Sequence, residues 1–185
     1  MTRSASPQLT TTTPQIYVAC LPAYVAGRLH GEWIDASQDA EEIRAEIAEM
    51  LARSPEPDAE EWAIHDTSGF DGVPIGEHES LERVAALAEL LLDYPGAVVA
   101  AFLDGWGERG ADELISAFRD AHGGCWTSVG EFADEVLVSD DVKEALGEEL
   151  YGYLGLARYA HDSEADGGFS TVGTPSGVHV IWKNY

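Results

Sequence analysis

The chain has 185 residues, of which 34 are Asp or Glu and only 10 are Lys or Arg, so its formal net charge is −24. A surface this negative repels phosphate, which argues against direct binding to nucleic acid or to an anionic membrane. At 45% hydrophobic residues the chain can still fold, and no apolar run reaches the roughly 18 residues of a membrane span. The two cysteines, Cys20 and Cys125, form no CxxC motif. We therefore expect a folded cytoplasmic protein without a disulfide framework.

The N-terminal third predicts an α+β domain over residues 15–76, preceded by a disordered Ser/Thr-rich leader over residues 1–14. Strands are expected at 16–21, 29–34 and 61–66, where β-prone residues cluster. Between the last two strands, Ser37 is expected to cap a helix that runs to about residue 53. The apolar positions of this helix follow the spacing of one buried stripe; they are Ile43, Ile47, Met50 and Leu51.

The middle of the chain predicts a helical domain over residues 77–122. Ser80 is placed to cap a helix, and residues 111–122 form another with Leu114, Ile115 and Phe118 on its inner face. Residues 97–104 fit either a helix or a buried strand. The apolar face of the helix after Ser80 consists of Val84, Leu87, Leu90 and Leu91.

The C-terminal part predicts a second α+β domain, over residues 123–185, that contains a dimer interface. Ser128 and Glu131 have the spacing of a capping box. A helix that includes Val142, Leu146 and Leu150 is expected over 140–154, followed by a β-hairpin over 169–182. The expected fold is α+β: an elongated chain of three small domains, β-containing at both ends with a helical middle.

Two motifs suggest ligand chemistry but fit it poorly. Residues 105–110 match GxGxxG, yet Asp112 and Glu113 follow immediately and would repel a pyrophosphate. Residues 162–167 resemble the start of an EF-hand loop, but its twelfth position is Gly173, where a bidentate Glu is required. Both segments are better explained as loops. We therefore expect no cofactor, no bound metal and no enzymatic activity.

One enzymatic alternative stays open. Asp162, Glu164 and Asp166 lie close together in sequence and could hold a divalent ion. The alternative is a small hydrolase that uses paired carboxylates and a divalent ion at this place.

The acidic residues are the stronger signal. Glu42, Glu46 and Glu49 follow i, i+4, i+7 spacing, and Glu144 and Glu148 repeat the i, i+4 step. Such like-charge pairs destabilise a helix by roughly 0.2–0.5 kcal/mol each. A solubility-promoting or halophilic surface would explain these acids. So would mimicry of double-stranded DNA, because 24 charges match those on ~41 Å of duplex.

A DNA-mimicking surface would have to be built from carboxylates spread along the chain. The candidates are Glu42, Glu46, Glu49, Glu60, Glu61, Glu79, Glu82, Asp112, Glu113, Asp120, Glu131, Asp134, Glu135, Asp140, Asp141, Glu144, Glu148 and Glu149.

Segments at both ends of the sequence carry a family resemblance. At the N-terminal end they are residues 16–21 (IYVACL), 27–36 (GRLHGEWIDA) and 60–66 (EEWAIHD). At the C-terminal end they are Tyr159 and residues 178–182 (VHVIW). In these segments the chain resembles the ArdA antirestriction family.

The resemblance implies an antirestriction protein carried on mobile DNA. Members of the family are elongated acidic homodimers that mimic bent DNA and occupy the DNA-binding groove in the methyltransferase core of type I restriction-modification enzymes. Residues 136–159 correspond to the family's antirestriction and dimerisation segment, which places Leu150, Tyr151 and Tyr153 at the dimer interface. A mimic directed at another basic DNA-binding protein is an alternative, because groove electrostatics are generic.

Overall fold

The computed structural model describes residues 12–106 and 110–183, except for the side chain of Trp106. The chain divides into two compact units, Leu9–Ser116 and Ala117–Tyr185. The division into three domains stays a prediction. Of the predicted leader, residues 1–11 lie outside the described part, while Pro14 is buried and its carbonyl accepts a hydrogen bond from Ala36 N at 2.9 Å.

The first unit is built on a three-stranded antiparallel sheet of order β2-β1-β3. The three strands predicted from the sequence are confirmed, and the ambiguous segment 97–104 is helical. The elements are β1 (Gln15–Cys20), α1 (Leu21–Val25), β2 (Gly31–Asp35), α2 (Ala40–Ala52), β3 (Trp62–Ser68), α3 (Leu81–Asp93), α4 (Gly96–Trp106) and α5 (Ala111–Ala121), which crosses the unit boundary.

Helix α2 does not begin where the sequence predicted. Asp39 is its N-cap, since the Asp39 carboxylate accepts from Glu42 N at 2.9 Å. The predicted cap at Ser37 is wrong because Asp35, at the end of β2, accepts from both the Ser37 backbone N–H at 2.8 Å and its hydroxyl at 2.6 Å. The Asp35 side chain thus holds a turn before the helix starts.

The apolar stripes of α2 and α3 form much of the first core. In α2, Ile43, Ile47 and Met50 are buried as predicted, while Leu51 is half-buried. Helix α3 begins after Ser80, whose hydroxyl oxygen accepts from Arg83 N at 3.2 Å, so this cap is confirmed. All four predicted apolar residues of α3 are buried; they are Val84, Leu87, Leu90 and Leu91.

The second unit holds another three-stranded antiparallel sheet, of order β4-β6-β5. The predicted hairpin is confirmed as β5 and β6. Phe132, Phe169 and Val180 form its core, with Trp126 and Trp182 packed against them. The elements are β4 (His122–Trp126), α6 (Val129–Phe132), a π-helical turn (Ala133–Leu137), α7 (Asp140–Tyr151), α8 (Leu156–Ala165), β5 (Phe169–Thr174) and β6 (Gly177–Trp182).

Strand β4 was not predicted because its sequence contains two glycines. A side chain at Gly123 would place its Cβ 2.7 Å from Trp182 Nε1, so the close packing against β6 requires glycine. Pairing with β6, rather than local preference, makes this segment a strand.

Helix α7 is interrupted, contrary to the prediction of one helix over 140–154. Gly147 has φ +70° and ψ 160°, which no helix accommodates. No residue of α7 is buried: Val142 and Leu150 are exposed, and Leu146 is half-buried. Helix α8, which covers the first part of the EF-hand-like segment, was not predicted.

Candidate binding surfaces

Carboxylates cover the exposed surfaces of both units. The first unit has 22 acidic and 5 basic residues, a net charge of −17, and the second has 12 and 4, a net charge of −8. Of the eighteen carboxylates proposed above, sixteen are exposed, and Glu79 and Asp134 are half-buried.

Helix α2 carries the most regular row of these acids. Glu42, Glu46 and Glu49 are exposed and lie along one side of the helix, next to its buried stripe. The Asp39 cap and the uninterrupted helical backbone hold them in this row, and Glu46 also accepts from Gln38 Nε2 at 2.8 Å. We refer to Glu42, Glu46 and Glu49 as the α2 carboxylate row.

Few cations neutralise the proposed carboxylates. Glu79 pairs with Arg83 at 3.6 Å, Glu82 with Arg44 at 2.7 Å and Asp134 with Lys143 at 3.0 Å. The other fifteen make no ion pair within the described residues. Their charges are therefore available to a basic partner.

The acids of α7 are not arranged as the sequence suggested. Glu144 precedes Gly147, and Glu148 and Glu149 follow it, so their i, i+4 spacing no longer places them on one regular helical face. All three side chains remain exposed.

Glu131 combines exposure with a local structural role. Ser128 Oγ accepts from Glu131 N at 3.1 Å, which confirms the N-cap. The Glu131 carboxylate accepts from the Thr127 hydroxyl at 2.6 Å and from Thr127 N at 2.7 Å, instead of returning to the Ser128 N–H of a usual capping box. These two bonds lower the pKa of Glu131.

Asp134, Lys143 and Tyr151 form a polar cluster between the π-helical turn and α7. The Tyr151 hydroxyl donates to the Asp134 carboxylate, which also contacts Lys143 Nζ at 3.0 Å. The bond from Tyr151 and then that from Lys143 lower the pKa of Asp134, while Asp134 raises the pKa of both partners. Tyr151 is thus bound within its own chain, whereas the other proposed dimer residues, Leu150 and Tyr153, are 61% and 86% exposed.

An apolar groove lies in the same segment. Its volume is about 330 Å³, and α7, α8 and the residues that flank them line it. The groove was not predicted from the sequence, although the i, i+4 spacing of Val142 and Leu146 is visible there. The apolar groove is lined mainly by Leu137, Val142, Leu146, Leu154, Leu156 and Tyr159.

Two histidines form an unforeseen pair at the sheet of the second unit. His122 Nε2 and His179 Nδ1 lie 3.0 Å apart, and the His122 ring stacks on Phe118. Burial, followed by the neighbouring His179, lowers the pKa of His122 to about 4, and burial also lowers that of His179. Both rings are therefore neutral near pH 7, which suits a structural pair.

The three acids of the hydrolase alternative do not converge. Glu164 accepts from Thr171 N at 2.6 Å and so ties α8 to β5, while Asp162 lies 3.8 Å from Arg158 Nε. Over residues 12–106 and 110–183, no group of three or more His, Cys, Asp or Glu side chains could hold a metal ion. Within the GxGxxG match, residues 107–109 lie outside the described part.

Together these features define an acidic α+β protein with uncompensated carboxylates on both of its units. The family model described as Antirestriction protein (ArdA) matches residues 16–177, which is most of the chain. The protein therefore belongs to the ArdA antirestriction family. No curated protein matches the chain. None of the helices in the described part is both long and apolar enough to cross a membrane.

Proposed function

We propose that the protein is a non-catalytic, cytoplasmic inhibitor that mimics double-stranded DNA and occupies the DNA-binding groove of a type I restriction-modification enzyme. Bound to the methyltransferase core, it would protect incoming mobile DNA from restriction. The observation that carries this proposal is the excess of exposed carboxylates without ion-pair partners on both units. Membership of the antirestriction family supports it.

The electrostatics of such a complex resemble those of DNA binding. Basic residues that line a DNA groove would exchange phosphate partners for carboxylates, and both surfaces would release counterions. The affinity should therefore decrease steeply with salt. Because the charge is distributed over many carboxylates, replacement of a single Asp or Glu should change the affinity only slightly.

The direct test is a competition titration. A labelled duplex is bound to a type I methyltransferase core, and the protein is added at several salt concentrations. We expect displacement at low protein concentration that weakens steeply with salt. Absence of displacement at low salt would contradict the proposal and point to a different basic partner.

Neutralising the α2 carboxylate row tests which charges take part. The triple variant E42Q/E46Q/E49Q should displace the duplex less well, and its affinity should vary less with salt, because three contacts to cations are lost. The matched control is E42D/E46D/E49D, which keeps the charges. An equal loss of affinity in both triple variants would mean that the length and placement of these side chains, rather than their charge, determine binding.

We further propose that the protein acts as a homodimer through the apolar groove and the adjacent Leu150 and Tyr153. Removal of the apolar residues of this segment from water would stabilise the dimer. Replacement L150D/Y153D should convert a dimer to a monomer in sedimentation velocity, while L92D on α3, also at an exposed leucine, should leave the dimer intact. A dimer that persists in L150D/Y153D would place the interface elsewhere.

A further inference from the structure

An apolar projection interrupts the acidic surface of the first unit. Tyr24, Val25 and Leu29, at the end of α1 and in the loop to β2, are 55%, 86% and 90% exposed. We refer to these three residues as the apolar knob. They contribute little to the core, since their side chains remain largely in water.

Backbone hydrogen bonds and a ring contact hold the apolar knob in place. Ala26 N donates to Pro22 O at 3.1 Å, and Arg28 N donates to Ala23 O at 2.9 Å. The Tyr24 ring also meets the His65 ring edge-on, with centroids 5.0 Å apart. A surface fixed in this way loses little conformational entropy on binding.

The apolar knob adjoins the C-terminal end of α2, where the α2 carboxylate row ends. His30, directly after Leu29, places its Nε2 2.8 Å from Met50 O. Arg53 donates through Nε to Glu49 O at 3.1 Å and through Nη2 to Glu32 at 2.5 Å. A partner that binds Glu46 and Glu49 therefore comes within reach of the knob.

Two arginines beside the apolar knob are already paired with carboxylates. Arg28 Nη1 lies 3.0 Å from Glu56 Oε1, and Arg53 pairs with Glu32. This neutralised apolar surface differs from the neighbouring α2 carboxylate row. It has no counterpart on a DNA duplex, whose outer surface is phosphate and sugar, and it resembles a protein–protein contact.

A second copy of the chain fits the knob poorly. Three side chains fall well short of the roughly 800 Å² per partner that a stable interface buries. Two units of net charge −17 would also repel each other there. A basic partner that is attracted by the α2 carboxylate row avoids both problems. Its charge is opposite to that of the first unit, and the knob only adds area to a larger contact.

We propose that the apolar knob docks on an apolar protein surface of the target enzyme beside its DNA groove. This inference rests on the function proposed above and adds an element that DNA lacks. The carboxylates provide salt-dependent attraction, and the knob provides affinity that salt does not screen, so an enzyme with an apolar surface at this place is preferred over other DNA-binding proteins.

The competition titration separates the two contributions. In V25S/L29S we expect at least about a tenfold loss of affinity at every salt concentration, because each buried methylene contributes about 0.8 kcal/mol, with an unchanged salt dependence. The variant E42Q/E46Q/E49Q should instead show a reduced salt dependence. The matched control is L92S, an exposed leucine on α3, which should behave as the wild type.

Three outcomes overturn the inference, and they are distinguishable. Wild-type affinity in V25S/L29S, with displacement of the duplex intact, overturns the knob alone. A reduced salt dependence in V25S/L29S would show that the loop acts through charge, which also overturns it. Failure of the wild-type protein to displace the duplex rejects the proposed function and this inference together. A circular dichroism spectrum that matches the wild type verifies that each variant is folded.

Discussion

Tyr151 shows how a single hydroxyl holds the interrupted helix α7 in place. Replacement Y151F removes the bond to Asp134 and leaves Lys143 as its partner. We expect a lower midpoint of urea unfolding, because the second half of α7 loses its polar link to the π-helical turn. Y153F, at a residue that is 86% exposed, is the control and should unfold as the wild type does.

The His122–His179 pair should make stability depend on pH. The folded state lowers the pKa of His122 from 6.5 to about 4, so between these values the unfolded chain binds more protons than the folded one. Stability is therefore highest above about pH 6.5 and decreases as the pH falls towards 4. His179, whose pKa is also lowered, acts in the same direction.

Thermal unfolding from pH 7 to pH 5 measures this effect. The unfolding midpoint of the wild type should decrease as the pH falls over this range. The midpoint of H122Q should decrease less, because this variant lacks one of the two titrating rings. An equal decrease in both proteins would assign the pH dependence to other groups.

At the scale of elements, Gly147 determines the shape of α7. At φ +70° an alanine is strained, so G147A should lower the free energy of unfolding by roughly 1–3 kcal/mol. No atom lies within 4 Å of the position of the added Cβ, so crowding is not the cause. The matched control is G152A: Gly152 has φ −61° and ψ −16°, which alanine adopts without strain, and stability should be unchanged or slightly higher. A neutral G147A would mean that α7 can become continuous.

Elements with strong local signals can be predicted from the sequence, whereas elements that form through contacts between distant residues cannot. The strands β1 to β3, the Ser80 cap and the terminal hairpin follow from β-prone runs, capping residues and turn residues. Strand β4 cannot be predicted in this way, because its glycines have no preference for a strand and adopt one only by pairing with β6. Likewise, the bond from Tyr151 to Asp134 joins residues that are 17 apart in the chain and leaves no local sequence signal. The spacing of Val142 and Leu146 does not reveal what covers them.

At the scale of the whole molecule, the net charge of −24 should oppose folding through self-repulsion. Raising NaCl from about 20 mM to about 300 mM shortens the range of this repulsion. The midpoint of thermal unfolding should therefore increase. The variant E42Q/E46Q/E49Q should gain less from added salt, and a midpoint independent of salt in both proteins would show that the carboxylates are too far apart to interact.

The π-helical turn Ala133–Leu137 has a consequence for the family's history. A π turn accommodates one residue more than an α-helical turn, so it has the form of a one-residue insertion. This turn ends its helix, because its C-cap Val138 has the extended angles φ −98° and ψ 117°. A relative that lacks one residue here should end the helix in an ordinary α-helical turn, which would change the path of the chain from Asp134 to the helix that carries Lys143. The length of this segment across relatives would thus record whether the cluster arose together with the insertion.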